Sequence, residues 1–218
     1  MISNKLLLQL EQLLVQIPAL WNCRKAVLEM RDFGYPHWKQ MEWIGFYFQF
    51  LCDNKLAKLG NIPGPKYGKS EFDGFFEVPW DFKAHPIKNA KGVLNKSVII
   101  NDRIAIYEAI KQFGAVGLIL AIGEAEYNDT DRSFQVWHKE LKGGLSNYEE
   151  KRLLRDAPSR LRKTFFRLSE IDLILIDDTI VKDLGSFQEG FRNSDGSPRN
   201  AKVLLDLTKM KPVKIIKF

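Results

Sequence analysis

The stretch Ala115–Ile122 (AVGLILAI) constrains the fold most, because it carries no charged or polar side chain and lies between Gly114 and Gly123. An apolar run of this length bounded by glycines is typical of a strand whose two faces are both buried. Ile171–Ile176, which is apolar apart from Asp172, is predicted to be another buried strand. We therefore expect an α/β (α+β) protein with a central mixed β-sheet flanked by helices, in which residues 1–218 form a single domain.

Four helices are predicted before the buried strand Ala115–Ile122. A leucine-rich stripe after Asn4 predicts a capped helix ending near Pro18, and a second short helix is expected within residues 19–36. A third helix is predicted over His37–Leu51, and a fourth helix follows Asp102 and ends at Gly114. On the third helix, Glu42, Gly45 and Gln49 form a stripe beside the apolar face.

A β-hairpin is predicted over residues 71–78 and 80–85, with its break at Val78-Pro79. Alternation along the second strand sends Asp81, Lys83 and His85 to one side, while Phe82 and Ala84 face the other. Asp73 on the first strand reaches the same cluster if the two strands pair on that face. The hairpin therefore brings two carboxylates and a lysine together.

Two aspartates this close repel each other, and each has a raised pKa unless a cation neutralises the pair. One or two carboxylates with retained waters suit Mg²⁺ better than zinc or calcium. A neighbouring lysine can orient or deprotonate an attacking water and offset charge on a phosphorane. Asp73, Asp81 and Lys83 are therefore candidate catalytic residues for phosphodiester hydrolysis with Mg²⁺, the alternative being a solvated strand face with a surface ion pair.

These residues resemble the signature of the PD-(D/E)xK nuclease superfamily, the fold group of most type II restriction endonucleases. Phe72-Asp73 matches the first half, with phenylalanine in place of proline, and Asp81-Phe82-Lys83 matches the second half. The order helix, hairpin, third strand at Val98–Ile100, helix and buried strand resembles the αβββαβ core of that family over residues 38–123. The resemblance implies a metal ligand in the Phe82 backbone carbonyl and a further active-site carboxylate in Glu42.

Charge distribution is compatible with a nucleic-acid partner. The chain has 33 basic and 27 acidic residues, a net charge of +6, and residues 151–167 contain seven of the basic residues against a single aspartate. Solvated helices and loops account equally well for such runs. The candidate DNA-binding residues are His85, Lys66, Lys69, Arg160, Arg162, Lys163, Arg199 and Asn200.

The implied function is a Mg²⁺-dependent, sequence-specific double-strand DNA endonuclease of the type II restriction class, acting as a homodimer on a palindromic site. Residues 1–36 and 124–218 would then serve dimerisation and recognition, with a second hairpin over Glu124–Tyr127 and Ser133–His138. Two alternatives remain open: a structure-selective nuclease such as a junction resolvase or repair nickase, and a non-catalytic nucleic-acid-binding protein. Neither a membrane span nor a signal peptide is predicted, so we expect a cytoplasmic protein.

Overall fold

A computed structural model describes residues 2–145, 147–156, 161–183, 187–188 and 200–218. The helices are α1 (Asn4–Leu14), α2 (Cys23–Asp32), α3 (Trp43–Leu56), α4 (Arg103–Phe113), α5 (Ser133–Lys142), α6 (Asn147–Leu153) and α7 (Asp178–Asp183). The strands are β1 (Leu20–Asn22), β2 (Lys66–Tyr67), β3 (Ser70–Glu71), β4 (Gly74–Phe76), β5 (Val78–Pro86), β6 (Ser97–Asp102), β7 (Val116–Glu126), β8 (Phe165–Ile176), β9 (Phe187–Gln188), β10 (Lys202–Asp206) and β11 (Lys214–Lys217). Short 3₁₀ helices cover Pro36–Lys39 and Leu207–Lys209.

The main sheet is mixed and has the order β1-β8-β7-β5-β4, with β11 also pairing with β8. Strand β5 runs parallel to β7, whereas the pairs β4–β5 and β7–β8 are antiparallel. The parallel pair is connected through α4, as a crossover between parallel strands requires. The predicted fold class, a mixed sheet flanked by helices, is confirmed at this level.

Strand β7 is buried on both faces, as its apolar sequence predicts. Val116, Leu118 and Leu120 pack with α4, β6 and β10 on one side of the sheet. Ile119 and Ala121 pack on the other side with α1, α2 and α3. Alternate side chains therefore enter two separate cores, which is why no polar residue interrupts this part of the strand.

Strand β8 contains an irregularity that keeps Leu168 and Ile171 on the same core. Its register with β7 shifts between the pairs Ile122↔Glu170 and Gly123↔Leu168, which leaves Ser169 as an extra residue. Leu168 and Ile171 consequently face the same core, although they are three residues apart. The long buried strand begins at Phe165, six residues before the predicted segment.

Gly117 allows the closest contact between β5 and β7. It is paired with Trp80, and a Cβ built on Gly117 would come within 2.2 Å of the Trp80 ring. Only a residue without a side chain therefore leaves room for the fully buried indole.

Several predicted boundaries differ from the structure. Helix α3 begins at Trp43 rather than His37, because Pro36–Lys39 forms a 3₁₀ turn of its own. The hairpin reverses at Glu77, whose φ is 61° and whose carboxylate accepts hydrogen bonds from the Ser3 backbone and hydroxyl. Pro79 is thus an interior residue of β5, opposite Phe75, rather than the break.

The second predicted hairpin is wrong, because Ser133–His138 opens helix α5. The Asp129 carboxylate accepts from the Phe134 backbone N–H, and Asp131 accepts from that of Ser133, so both satisfy donors at the helix start. Phe134 and His138 are buried one turn apart, which is a helical spacing. The polar residues 128–131 favour a turn between two strands, but the period of the buried residues that follow is helical.

The predicted third strand, Val98–Ile100, lies within β6 but outside the main sheet. It pairs with β10, and β10 pairs with β9, in a separate three-stranded sheet. The side chains of Val98 and Ile100 still cover the α4 side of the main sheet. Within the described residues, none of the helices is both long and apolar enough to cross a membrane.

Candidate functional site

Asp73 and Asp81 meet where the β4–β5 hairpin opens. Gly74 pairs with Trp80 as the last pair of that ladder, so the same register puts Asp73 across from Asp81. Beyond this pair, no described strand pairs with this edge of β5, and the Phe82 N–H donates to Asp73 Oδ2 at 2.6 Å. The end of the short strand β4 therefore creates the site.

Lys83 joins the two carboxylates. Its Nζ lies 3.5 Å from Asp81 Oδ1 and 3.8 Å from Asp73 Oδ2. The side chains of Asp81 and Asp73 are 5% and 14% exposed, whereas that of Lys83 is 32% exposed. The structure thus brings together the three residues predicted from the hairpin, with the lysine as the most accessible of them.

Burial and neighbouring charges shift the pKa values of two of these residues. Burial, and secondarily the nearby Asp81, raises the pKa of Asp73 from 3.8 to about 6, although Lys83 and the Phe82 and Gln49 hydrogen bonds oppose the shift. Burial alone would lower the pKa of Lys83, but attraction to Asp81 and Asp73 raises it above its ordinary value. The lysine therefore stays charged, while Asp73 titrates at about pH 6.

The oxygen atoms at this site would suit a hard cation that takes only a few of its ligands from the protein. Asp81 Oδ2 is buried and has no hydrogen-bond partner among the described residues, which leaves a carboxylate oxygen available. The N–H and C=O of one strand residue point to the same side, so we expect the Phe82 carbonyl on the same edge of β5 as Asp73. Among the described residues, no three His, Cys, Asp or Glu side chains cluster as metal ligands. Two carboxylates and one carbonyl would suit Mg²⁺, which keeps several waters, better than Zn²⁺ or Ca²⁺.

Helix α3 supplies two polar residues that sequence reasoning did not include in the site. Gln49 Nε2 donates to Asp73 Oδ1 at 2.6 Å. One turn later, burial and the charge of Asp73 raise the pKa of Asp53 to about 7, while a hydrogen bond with Tyr35 opposes the shift. The stripe that contains Gln49 was visible in the sequence, but its contact with Asp73 depends on how α3 packs against β5.

The sequence predicts Glu42 on the third helix, but the residue lies just before α3, outside the helix. It forms an ion pair with Lys163, and its side chain is 60% exposed. Both residues line a cavity of about 260 Å³ together with Gly45, Gln49, Phe82 and Lys83. Glu42 is therefore near the cluster through this cavity, and its carboxylate is engaged by a lysine.

His85 is buried, and its Nε2 donates to the Asn95 carbonyl at 2.9 Å. Burial lowers its pKa, so the imidazole is neutral near pH 7. These contacts are those of a hydrogen-bonded structural histidine.

The other predicted DNA-binding residues are dispersed. Lys66 and Lys69 are exposed on and after β2, whereas Arg162 is buried. Asn200 Nδ2 donates to Asp102 Oδ2 at 3.3 Å, beside the start of α4. Arg160 and Arg199 lie outside the described residues. Of these candidates, Lys163 is the one that lines the cavity next to Lys83.

Comparison with known proteins adds nothing to this geometry: no family model, no curated protein and no solved structure matches the chain.

Proposed function

We propose that this protein is a Mg²⁺-dependent DNA endonuclease that hydrolyses phosphodiester bonds at the Asp73–Asp81–Lys83 cluster. The observation that carries the proposal is the Lys83 ammonium, which lies within 4 Å of the buried Asp81 carboxylate and of the partly buried Asp73 carboxylate and remains partly exposed itself. A surface ion pair would not need a second carboxylate beside the lysine. Two carboxylates this close together are better explained by a bound cation as a further partner, and that cation can in turn bind a phosphate.

In this proposal Asp73, Asp81 and the Phe82 carbonyl hold Mg²⁺. A bound Mg²⁺ supplies the positive charge that activates water and offsets charge on the phosphate. Gln49 and the Phe82 N–H orient the Asp73 carboxylate through its two hydrogen bonds. Lys83 orients the attacking water and stabilises negative charge that develops on the phosphoryl oxygens.

The resemblance to the PD-(D/E)xK superfamily supports this reading, and the crossover from β5 through α4 to the parallel strand β7 agrees with it. We further propose that the enzyme is a homodimer of the type II restriction class, which cuts both strands at a palindromic site. Sequence specificity and dimerisation both rest on the resemblance.

A non-catalytic nucleic-acid-binding protein is the second candidate, because Lys83 forms ion pairs with both aspartates, as it would in a purely structural cluster. Incubation of plasmid and branched DNA with the protein and Mg²⁺ separates the candidates. Double-strand cuts at discrete positions support the endonuclease, and cuts confined to branched or hemimethylated DNA support a structure-selective nuclease. Binding without cleavage in Mg²⁺ or Mn²⁺ would contradict both enzymes.

A further inference from the structure

Helix α3 leaves an open space at Gly45. A Cβ added there meets no heavy atom within 4 Å, so packing does not require a glycine at this position. Gly45 lies in the first turn of α3, where its backbone is helical, and glycine is disfavoured in helices relative to alanine. The missing side chain therefore contributes open volume rather than a close contact.

This volume belongs to the cavity of about 260 Å³ described above. Apart from Gly45, its apolar lining comes from Ile44, Phe46, Phe82, Ala84 and Pro86. The polar residues around it already have partners in the protein: Glu42 binds Lys163, and Gln49 binds Asp73. The cavity thus offers a ligand mainly apolar contact surface, because the polar groups around it already have partners in the protein.

The cavity and the candidate phosphate site share three residues. Gln49, Phe82 and Lys83 line the cavity, and each of them also contacts Asp73 through a hydrogen bond or an ion pair. A group bound in the cavity therefore stands beside a phosphate held at Lys83. Lys163, a second cation, lies on the cavity lining as well.

We propose that this cavity receives an unstacked nucleobase of the nucleotide that adjoins the cleaved bond. This inference rests on the proposed function and adds a substrate class to it. A nucleobase is planar and uncharged, so it suits the apolar lining, while its attached phosphate remains near Lys83 and Lys163. A free anion would gain little from a lining whose polar groups are already paired.

Unstacked bases come from two sources: single-stranded DNA, or a duplex from which one nucleotide is extruded. Extrusion costs less at a mispaired position than at a matched one. We expect 2-aminopurine fluorescence to rise on binding when the label is mispaired in a duplex or lies in a single strand. A rise with single-stranded DNA alone identifies that source, and no rise with either substrate would overturn the inference.

The sharper test fills the cavity and measures nucleotide binding in Ca²⁺ by NMR titration. Wild-type protein should bind deoxyadenosine monophosphate about tenfold tighter than deoxyribose 5-phosphate, which lacks the base. Gly45→Leu should remove this preference while leaving the affinity for the sugar phosphate unchanged. Asn54→Leu, at an exposed position of the same helix, is the matched control and should retain the preference.

Equal affinities of wild-type protein for the two probes, or an unaltered preference in Gly45→Leu, would overturn the inference. Thermal unfolding of Gly45→Leu verifies that the variant is folded. If wild-type protein cleaves DNA and Gly45→Leu cleaves it equally well, the base site is wrong and the nuclease stands. If wild-type protein cleaves no DNA, the proposed function fails, and the nucleotide titration still decides whether the cavity binds a base.

Discussion

Lys83 forms ion pairs with both Asp73 and Asp81, so a change at Asp81 alters the ionisation of Asp73 and of Lys83. The raised pKa of Asp73 means that the folded protein binds this proton more tightly than the unfolded chain does. Its contribution to stability is therefore complete below about pH 4 and is lost as the pH rises through about 6. Above that pH, the ionised Asp73 carboxylate destabilises the folded protein, and a bound cation would relieve this destabilisation.

This linkage predicts a pH-dependent stabilisation by Mg²⁺. At pH 8 saturating Mg²⁺ should raise the midpoint of thermal unfolding by about 2 °C or more, whereas at pH 5 protonation of Asp73 competes and the increase should nearly disappear. Differential scanning fluorimetry measures the midpoint of unfolding at both pH values. Asp81→Asn should abolish the increase at pH 8, and Glu170→Gln, from an ion pair at the opposite edge of the sheet, should retain it. Equal increases at the two pH values would contradict a role for Asp73.

Gln49 gives a second prediction at the residue scale. Its hydrogen bond to Asp73 favours the ionised carboxylate, so Gln49→Leu should raise the pKa of Asp73 further. The acid limb of the pH–activity profile should therefore move from about pH 6 to a higher pH, with little change in activity at pH 9. A uniform loss of activity at all pH values would indicate instead that Gln49 maintains the fold.

At the scale of elements, the contact between β5 and β7 depends on Gly117. Gly117→Ala should lower the free energy of unfolding by about 1–3 kcal/mol, because the added methyl overlaps the Trp80 ring. Gly45→Ala is the matched control: its methyl meets open space, and alanine favours the helix, so stability should rise by up to about 1 kcal/mol. Urea unfolding of both variants tests this, and equal effects would contradict the packing described here.

The elements also show what the sequence could predict. Strand β7 was predictable because its composition alone requires burial on both faces. Helix α5 was missed because aromatic residues occur in helices and strands alike, and its start depends on carboxylates that bind the first backbone N–H groups. The meeting of Asp73, Asp81 and Lys83 could be predicted from the local alternation of side chains along the hairpin. The approach of Gln49 and Asp53 to Asp73 could not be predicted, because it depends on the packing of a distant helix.

For the whole molecule, the proposal of a palindromic site requires two copies of the chain. Because a two-fold dimer presents equivalent sites to the two strands, we expect a homodimer in solution. Sedimentation velocity over a range of concentrations measures this. A monomer that makes only single-strand nicks would contradict the restriction-type assignment while leaving the chemistry at Asp81 and Lys83 intact.

The most direct test of the central claim is the rate of DNA cleavage in Mg²⁺ by wild-type protein, Asp81→Asn and Lys83→Ala, with DNA binding measured in Ca²⁺. Lys217→Ala is the matched control, because Lys217 forms an ion pair with Glu170 on the far edge of the sheet. We predict that both site variants bind DNA but cleave it at least about 100-fold more slowly, whereas Lys217→Ala cleaves it at the wild-type rate. Full cleavage by either site variant would contradict the claim that this cluster is the active site.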